Sequence, residues 1–401
     1  MLSSGRFLPR LPWTRSASMV ARHFAKRKSL YPFMAKPATV FDFGLSPDDE
    51  QRAAELHKTI QVYDGLIECT WYPGIVENIL AGGPQVGGSL SLGNAGLERF
   101  LGEKEHMDAV PEKFWTYETL VRDLAYIRAA CHESAGKVHF CTSAAELEAA
   151  YSVGAVALSA DVQNSNFIGS DFDRLETVYW LGLRRIQLTY NDANSAGFGC
   201  MEESDGGLTK WGERLVGAMN DLGMIVDTGH CKPQTVIDAA KASRKPMTCS
   251  HAGLVSICPG NPRTQTEEAI KEVAKTGGVF GLVAAPMAVN NSDCCTVDDL
   301  VNNIDAAVKV IGEDHVGFGS DFLIAASMEE VLRAPEWDAE RAGAVNTSGL
   351  VWPFSDGHVG FENNSGYRNL TRGLVAKGYS DESIRKIMGG NFLRVFKDVV
   401  G

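Results

Sequence analysis

Short apolar, β-branched runs recur along most of this chain, and their spacing limits the fold more than any other feature. They lie at 60–63, 155–158, 185–189, 224–227, 246–249, 278–283 and 315–319. From the second run onwards they stand roughly 20 to 40 residues apart, with amphipathic helical patterns such as 211–222 and 266–276 between them. This alternation is typical of repeated βα units and predicts a parallel sheet.

A parallel sheet can close into a barrel or stay open. No G-x-G-x-x-G motif follows the first run, where a dinucleotide-binding open sheet would carry one. We therefore predict an α/β fold, a (β/α)8 TIM-like barrel with C-terminal helical additions. Seven strands can be placed and an eighth cannot, because the Gly-, Ser- and Asn-rich segment 84–110 and the segment 325–364 are predicted as long loops.

Charge divides the 401 residues unevenly. Residues 1–36 hold eight Lys and Arg and no Asp or Glu, although the whole chain has a net charge of −12. An acid-free basic leader without a secretory apolar run predicts a mitochondrial transit peptide, and a disordered tail on a cytoplasmic protein is the alternative. The remainder divides into a helical lead-in at 37–60 and a barrel with closing helices at 61–401.

The composition also excludes several classes of partner. An acidic chain without long Lys/Arg runs is a poor nucleic-acid binder, since phosphate binding needs clustered cations. No apolar stretch is long enough to span a bilayer, and we expect no membrane anchor. Nine cysteines without a C-x-x-C pair predict reduced thiols.

Polar side chains end most of the predicted strands. They are Asp64 and Glu68, Asp161, Tyr190, Asp227 and His230, Ser250 and His251, and Ser320 and Asp321. In a barrel these strand ends meet at one mouth, and gathered imidazoles and carboxylates suit a divalent metal such as zinc. A single residue of this kind is more simply a helix cap or a histidine bonded to a carbonyl, so the prediction depends on the whole set.

Six motifs then appear in order: GLTKWG at 207–212, MNDLGMIVDTGH at 219–230, SH at 250–251, NPR at 261–263, DHVGFGSD at 314–321 and GGNFLRVF at 389–396. Together they resemble the membrane dipeptidase (renal dipeptidase, M19) family of zinc peptidases. The resemblance extends from about residue 64 to residue 396, nearly the whole chain after the leader. It implies a barrel of the metal-dependent hydrolase type.

The resemblance also implies roles for four residues. In that family two zinc ions share a bridging carboxylate, and zinc-activated water attacks the carbonyl of a short peptide. His230 and His251 match the two histidines of one metal site, and Asp321 matches the aspartate that handles the proton. Arg263 matches the arginine that binds the substrate carboxylate, which a planar guanidinium does well.

Three positions depart from the family pattern. Leu66 and Glu68 occupy the places of a His and an Asp, and Leu66 cannot bind a metal. Asp161 takes the place of the bridging Glu. Tyr190 replaces a His that polarises the scissile carbonyl, and its hydroxyl can still bind the substrate and donate to an oxyanion. We therefore expect His230, His251, Asp161 and Glu68 to hold one or two Zn2+ per chain.

The expected activity is zinc-dependent hydrolysis of the amide bond of a dipeptide or similar small carboxylate-bearing substrate. Asp321 and Tyr190 would be catalytic, and Arg263 and Tyr190 would bind the substrate. Two alternatives stay open: a mononuclear-metal isomerase or lyase acting on a small carboxylate, and an impaired barrel retained as a binding protein. The sequence also leaves open whether the chain forms a homodimer.

Overall fold

The structure, a computed structural model, describes residues 37–67, 79–92, 115–292, 294–321 and 358–401. The predicted leader at 1–36, the predicted ligand Glu68 and most of the two predicted long loops lie outside the described residues. Within the described ranges, no helix is long and apolar enough to cross a membrane.

The strands are named in chain order. They are β1 Val62–Ile67, β2 Val86–Leu92, β3 Val138–Phe140, β4 Val156–Val162, β5 Leu183–Gln187, β6 Ile225–Asp227, β7 Thr248–Leu254, β8 Thr264–Gln265, β9 Val279–Val283, β10 Cys295–Thr296, β11 Val316–Gly319 and β12 His358–Val359.

The helices are also named in chain order, and several begin at Ser or Thr caps, as at Thr209, Thr266 and Thr296. They are α1 Pro47–His57, α2 Tyr117–Glu133, α3 Ala144–Ser152, α4 Asp173–Leu181, α5 Lys210–Leu222, α6 Pro233–Ala242, α7 Glu267–Lys275, α8 Pro286–Val289, α9 Val297–Ile311, α10 Tyr367–Ala376, α11 Asp381–Arg385 and α12 Asn391–Val400.

Eight parallel strands form a nearly closed barrel, in the order β1-β2-β4-β5-β6-β7-β9-β11. The first and last strands meet where the backbone N–H of Asp321 donates to Leu66 O at 3.0 Å. The Ser320 N–H also donates to the Asp64 carboxylate at 2.8 Å. The predicted (β/α)8 barrel is confirmed.

The eighth strand lies where the sequence predicted a loop. Residues 86–92 form the fully buried strand β2 between β1 and β4, so the loop prediction for 84–110 is wrong there. Glycine and serine have low strand propensity, which hid the strand. Glycine is nevertheless needed, because a Cβ on Gly87 would stand 2.4 Å from Ala157 O and 2.6 Å from the Tyr151 hydroxyl.

Helix α12 closes the floor of the barrel, at the end opposite the predicted mouth. The Phe392 ring packs so closely there that a Cβ on Gly65, Gly281 or Gly317 would lie within 3.0 Å of it. Tyr63, Val279 and Ile225 share this apolar cluster. Residue Gly401 is also held in place, because its carbonyl oxygen accepts a hydrogen bond from the Ala144 N–H at 2.8 Å.

Candidate active site

Two histidines from neighbouring strands meet at the barrel mouth. His230 follows β6 and His251 lies in β7, and both side chains are buried. Their ring centroids are 5.0 Å apart, and the rings meet edge to face. Adjacent strands of a parallel barrel end at the same level, which is why residues 21 positions apart in sequence come together here.

A chain of hydrogen bonds sets the orientation of His251. The Asp227 carboxylate accepts from the Ser250 hydroxyl at 2.7 Å and from the Ser250 N–H at 2.8 Å. Since the Ser250 proton is donated to Asp227, the Ser250 oxygen accepts from His251 Nδ1–H, at 2.8 Å. Nε2 therefore carries a lone pair, and this buried atom has no hydrogen-bond partner among the described residues.

His230 is oriented in the same way by an amide. Its Nδ1–H donates to Asn191 Oδ1 at 2.8 Å, so the lone pair again lies on Nε2. One face of the ring is stacked on Tyr190 at 4.1 Å between centroids. Trp115 packs against Tyr190 in turn, at 4.6 Å. An aromatic stack thus holds this imidazole in place, and it places half-buried Tyr190 beside the histidine pair, as the sequence predicted.

The separation of the two histidine rings matches that of imidazoles that share one metal ion. Two imidazoles bound to one tetrahedral zinc through nitrogens at about 2.0–2.1 Å have ring centroids about 5 Å apart. Burial lowers the pKa of both imidazoles well below the usual value, and Arg263 lowers them further. Both rings are therefore neutral at physiological pH, which is the form that binds metals.

The predicted ligand set is not assembled beyond this pair. Among the described residues, no group of three or more His, Cys, Asp or Glu side chains is placed to hold a metal ion. Asp161 is the predicted ligand that departs most clearly, because its Oδ2 accepts a hydrogen bond from the Arg185 guanidinium.

Arg185 is a buried cation inside the barrel wall. It lies directly opposite Asp161 in the β4–β5 register, and it also donates to Gly65 O on β1. Burial raises the pKa of the Asp161 carboxyl, and the nearby Arg185 charge opposes that rise. The two opposite charges face each other with both side chains almost fully buried. The pair uses Asp161 Oδ2, and Asp161 Oδ1 has no hydrogen-bond partner among the described residues.

Leu66, which takes the place of a family histidine in β1, lies in a buried position. Leu66 is only 1% exposed, yet the apolar clusters of the described residues do not include it. A bulge between Asp64 and Ile67 adds a residue to β1 relative to β2. Ile67, by contrast, packs in the largest apolar cluster of the described residues.

Arg263 and Asp321 also lie at the mouth. The Arg263 guanidinium donates to Gly229 O at 2.5 Å and to His251 O at 3.1 Å, so it braces both histidine-bearing segments. Asp321 follows β11 with a left-handed φ of +53°. Burial raises the pKa of Asp321 to about 6, with Arg263 lowering it and Asp161 raising it.

Two residues of the site were missed by reasoning from the sequence. Trp115 gave no signal, since it stands outside every motif. Arg185 did give a signal. A charged residue in the middle of an apolar strand has to be paired, and the preceding predicted strand carries Asp161.

Known proteins share this architecture and these motifs. The family model for membrane dipeptidase (peptidase family M19) matches residues 109–342 and 349–400. An uncharacterised protein in the pqqA 5′ region of Klebsiella pneumoniae is 27% identical over 292 residues, which are 70% of this chain and 96% of that protein.

Two crystal structures from Pseudomonas aeruginosa superpose well on this one. An amidohydrolase matches with a TM-score of 0.71 at 26% identity, covering 86% of this chain and 98% of that one. The probable dipeptidase PvdM matches with a TM-score of 0.70 at 20% identity, covering 88% and 99%. With the family match spanning most of the barrel, the chain belongs to the membrane dipeptidase family, peptidase family M19.

Proposed function

We propose that this protein is a metal-dependent hydrolase that cleaves the amide bond of a dipeptide or similar small substrate with a free carboxylate. The observation that carries the proposal is the pair of neutral imidazoles at the barrel mouth, whose ring centroids are 5.0 Å apart. In each ring Nδ1 is hydrogen-bonded, which leaves Nε2 to bind zinc. Family membership supports the hydrolase chemistry, and the probable dipeptidase among the similar structures supports the substrate class.

When bound there, zinc would lower the pKa of a water ligand to about 7 and polarise a carbonyl. The chain's own residues would do the rest. Asp321, with a pKa of about 6, would take the proton from the attacking water and return it to the leaving amine. Tyr190 would donate a hydrogen bond to the developing oxyanion.

Arg263 would bind the substrate carboxylate. Its NH1 and NH2 each donate one bond to a backbone carbonyl, and each nitrogen keeps a second N–H. Because the two carbonyls belong to Gly229 and His251, the same guanidinium would fix the substrate relative to the metal ligands.

The test combines metal analysis with a substrate panel. We expect the zinc-loaded chain to cleave members of a panel of dipeptides and N-acyl amino acids, and His230→Ala to lose both zinc and activity. His315→Ala is the matched control, since His315 precedes β11 at the other end of the barrel and bonds Gly278 O. Zinc-loaded protein that cleaved nothing in the panel would contradict the proposal.

A second candidate is a barrel retained as a small-molecule binding protein. The Asp161–Arg185 ion pair favours it, because a carboxylate already neutralised by a guanidinium is a poor metal ligand. This candidate expects carboxylate ligands to bind without turnover, and to bind equally well after zinc removal.

A further inference from the structure

The Asp161–Arg185 pair is built into the barrel wall and does not depend on a mobile side chain. The two residues are direct partners in the register of the adjacent parallel strands β4 and β5. Their side chains are 3% and 4% exposed. A pair in this setting is held by the sheet itself and persists in the absence of any ligand.

The guanidinium also joins Asp161 to the first strand. The Arg185 nitrogen that bonds Asp161 also donates to Gly65 O, the residue before Leu66. The positive charge therefore lies between β1 and β4. Leu66, the next residue of β1, is buried and offers no lone pair to a metal ion.

A buried carboxylate is stabilised by hydrogen-bond donors or by a positive charge close by, and either a metal ion or a basic side chain can supply that charge. Resting on the proposed function, we infer that Arg185 withholds Asp161 from metal binding and supplies the positive charge that an ion would otherwise bring. A second ion beside Asp161 would face a fixed guanidinium of the same sign. The mouth therefore holds at most one metal ion, on His230 and His251, and Asp161 is not a ligand.

Zinc binding by the full chain tests this, with affinity measured by competition against a chromogenic chelator and capacity by elemental analysis. We expect the wild-type chain to hold no more than one zinc. Asp161→Asn should keep the wild-type capacity. Arg185→Met should bind zinc at least about tenfold more tightly than wild type, because it leaves the Asp161 carboxylate without its partner cation and so able to take a zinc ion.

Two controls and a second readout keep the test decisive. Arg185→Lys keeps the positive charge and should bind zinc like wild type, while Arg185→Met/Asp161→Asn should lose the gain. The rise in Tm on adding zinc should be larger for Arg185→Met than for wild type or Arg185→Lys. If Arg185→Met does not fold, Asp161→Asn and Arg185→Lys still carry the comparison.

Three outcomes would overturn the inference: two zinc ions in the wild type, loss of zinc in Asp161→Asn, or no gain in a folded Arg185→Met. A wild-type chain without zinc beside an Arg185→Met chain that binds it has a different meaning. That result would support the inference and remove the metal-dependent function proposed above.

Discussion

The Tyr367 hydroxyl donates a hydrogen bond of 2.6 Å to the Asp64 carboxylate, from helix α10 into the end of the first barrel strand. The other carboxylate oxygen accepts from the N–H groups of Ser320, at 2.8 Å, and Leu66, at 3.1 Å. One buried carboxylate thus fastens the first strand, the last strand and an outer helix at the seam where the barrel closes.

Removing the Tyr367 hydroxyl should weaken that seam. We expect Tyr367→Phe to lower the free energy of unfolding by about 1.5–3 kcal/mol, the range for a hydrogen bond to a charged group. Urea denaturation measures the change. Tyr379→Phe is the control, because its hydroxyl bonds Asp305 in a half-buried place at 3.0 Å and should cost less. Equal losses in both variants would contradict this account.

Asp64 should also give the protein a measurable pH dependence. Burial raises its pKa to about 6, with hydrogen bonds from Ser320 and Tyr367 opposing the rise. Since the folded chain binds this proton more tightly than the unfolded chain, the contribution is greatest below about pH 4 and is lost as pH rises through 6. The loss is about 3 kcal/mol at 1.36 kcal/mol per pKa unit.

Asp64→Asn cannot ionise and isolates that contribution. We expect the wild type to lose stability relative to Asp64→Asn between pH 4 and pH 7, in urea denaturation series at matched ionic strength. A stability difference that stays constant with pH would show that Asp64 does not titrate in this window.

The close packing of β2 makes a third prediction. Gly87→Ala should lower the free energy of unfolding by about 1–3 kcal/mol, because the new methyl group would overlap Ala157 O and the Tyr151 hydroxyl. Gly217→Ala, within α5 and with no atom near the added Cβ, should instead stabilise by about 0.5–1 kcal/mol. Thermal or urea unfolding compares the two variants directly. A Gly87→Ala variant as stable as the wild type would contradict this packing of β2.

The fourth prediction concerns the chain of hydrogen bonds that orients His251. Ser250→Ala removes the oxygen that fixes the His251 tautomer, so zinc affinity should fall by about 10- to 100-fold while the fold is kept. Chelator competition gives the affinity. Ser243→Ala removes a comparable hydroxyl far from the mouth and should leave zinc binding unchanged. An unchanged affinity in Ser250→Ala would mean that His251 does not ligate zinc through Nε2.

The sequence predicted the barrel from the recurrence of its apolar strands, and it failed at β2, where Gly and Ser interrupt the apolar residues. Strand β2 has Gly where its neighbours leave no room for larger side chains, and that crowding is a property of the packed sheet. Local propensity therefore indicates a loop at 84–92, and only the assembled barrel shows the strand.

The sequence predicted the two histidines of the site, but it did not predict how the charged residues pair. His230 and His251 were visible as strand-end residues in motifs, and the structure brings their rings together. That Asp161 faces Arg185 depends on strand register, which a list of strand ends does not contain. Glu68 and the transit peptide stay predictions, since both lie outside the described residues.

The floor formed by Phe392 bears on how this chain is made. Because the barrel strands precede α12 in the sequence, a ribosome releases them first, and the apolar floor of the growing barrel stays uncovered until residues 391–400 emerge. The nascent protein should therefore depend on chaperone protection until this helix has been made and has packed against the strands.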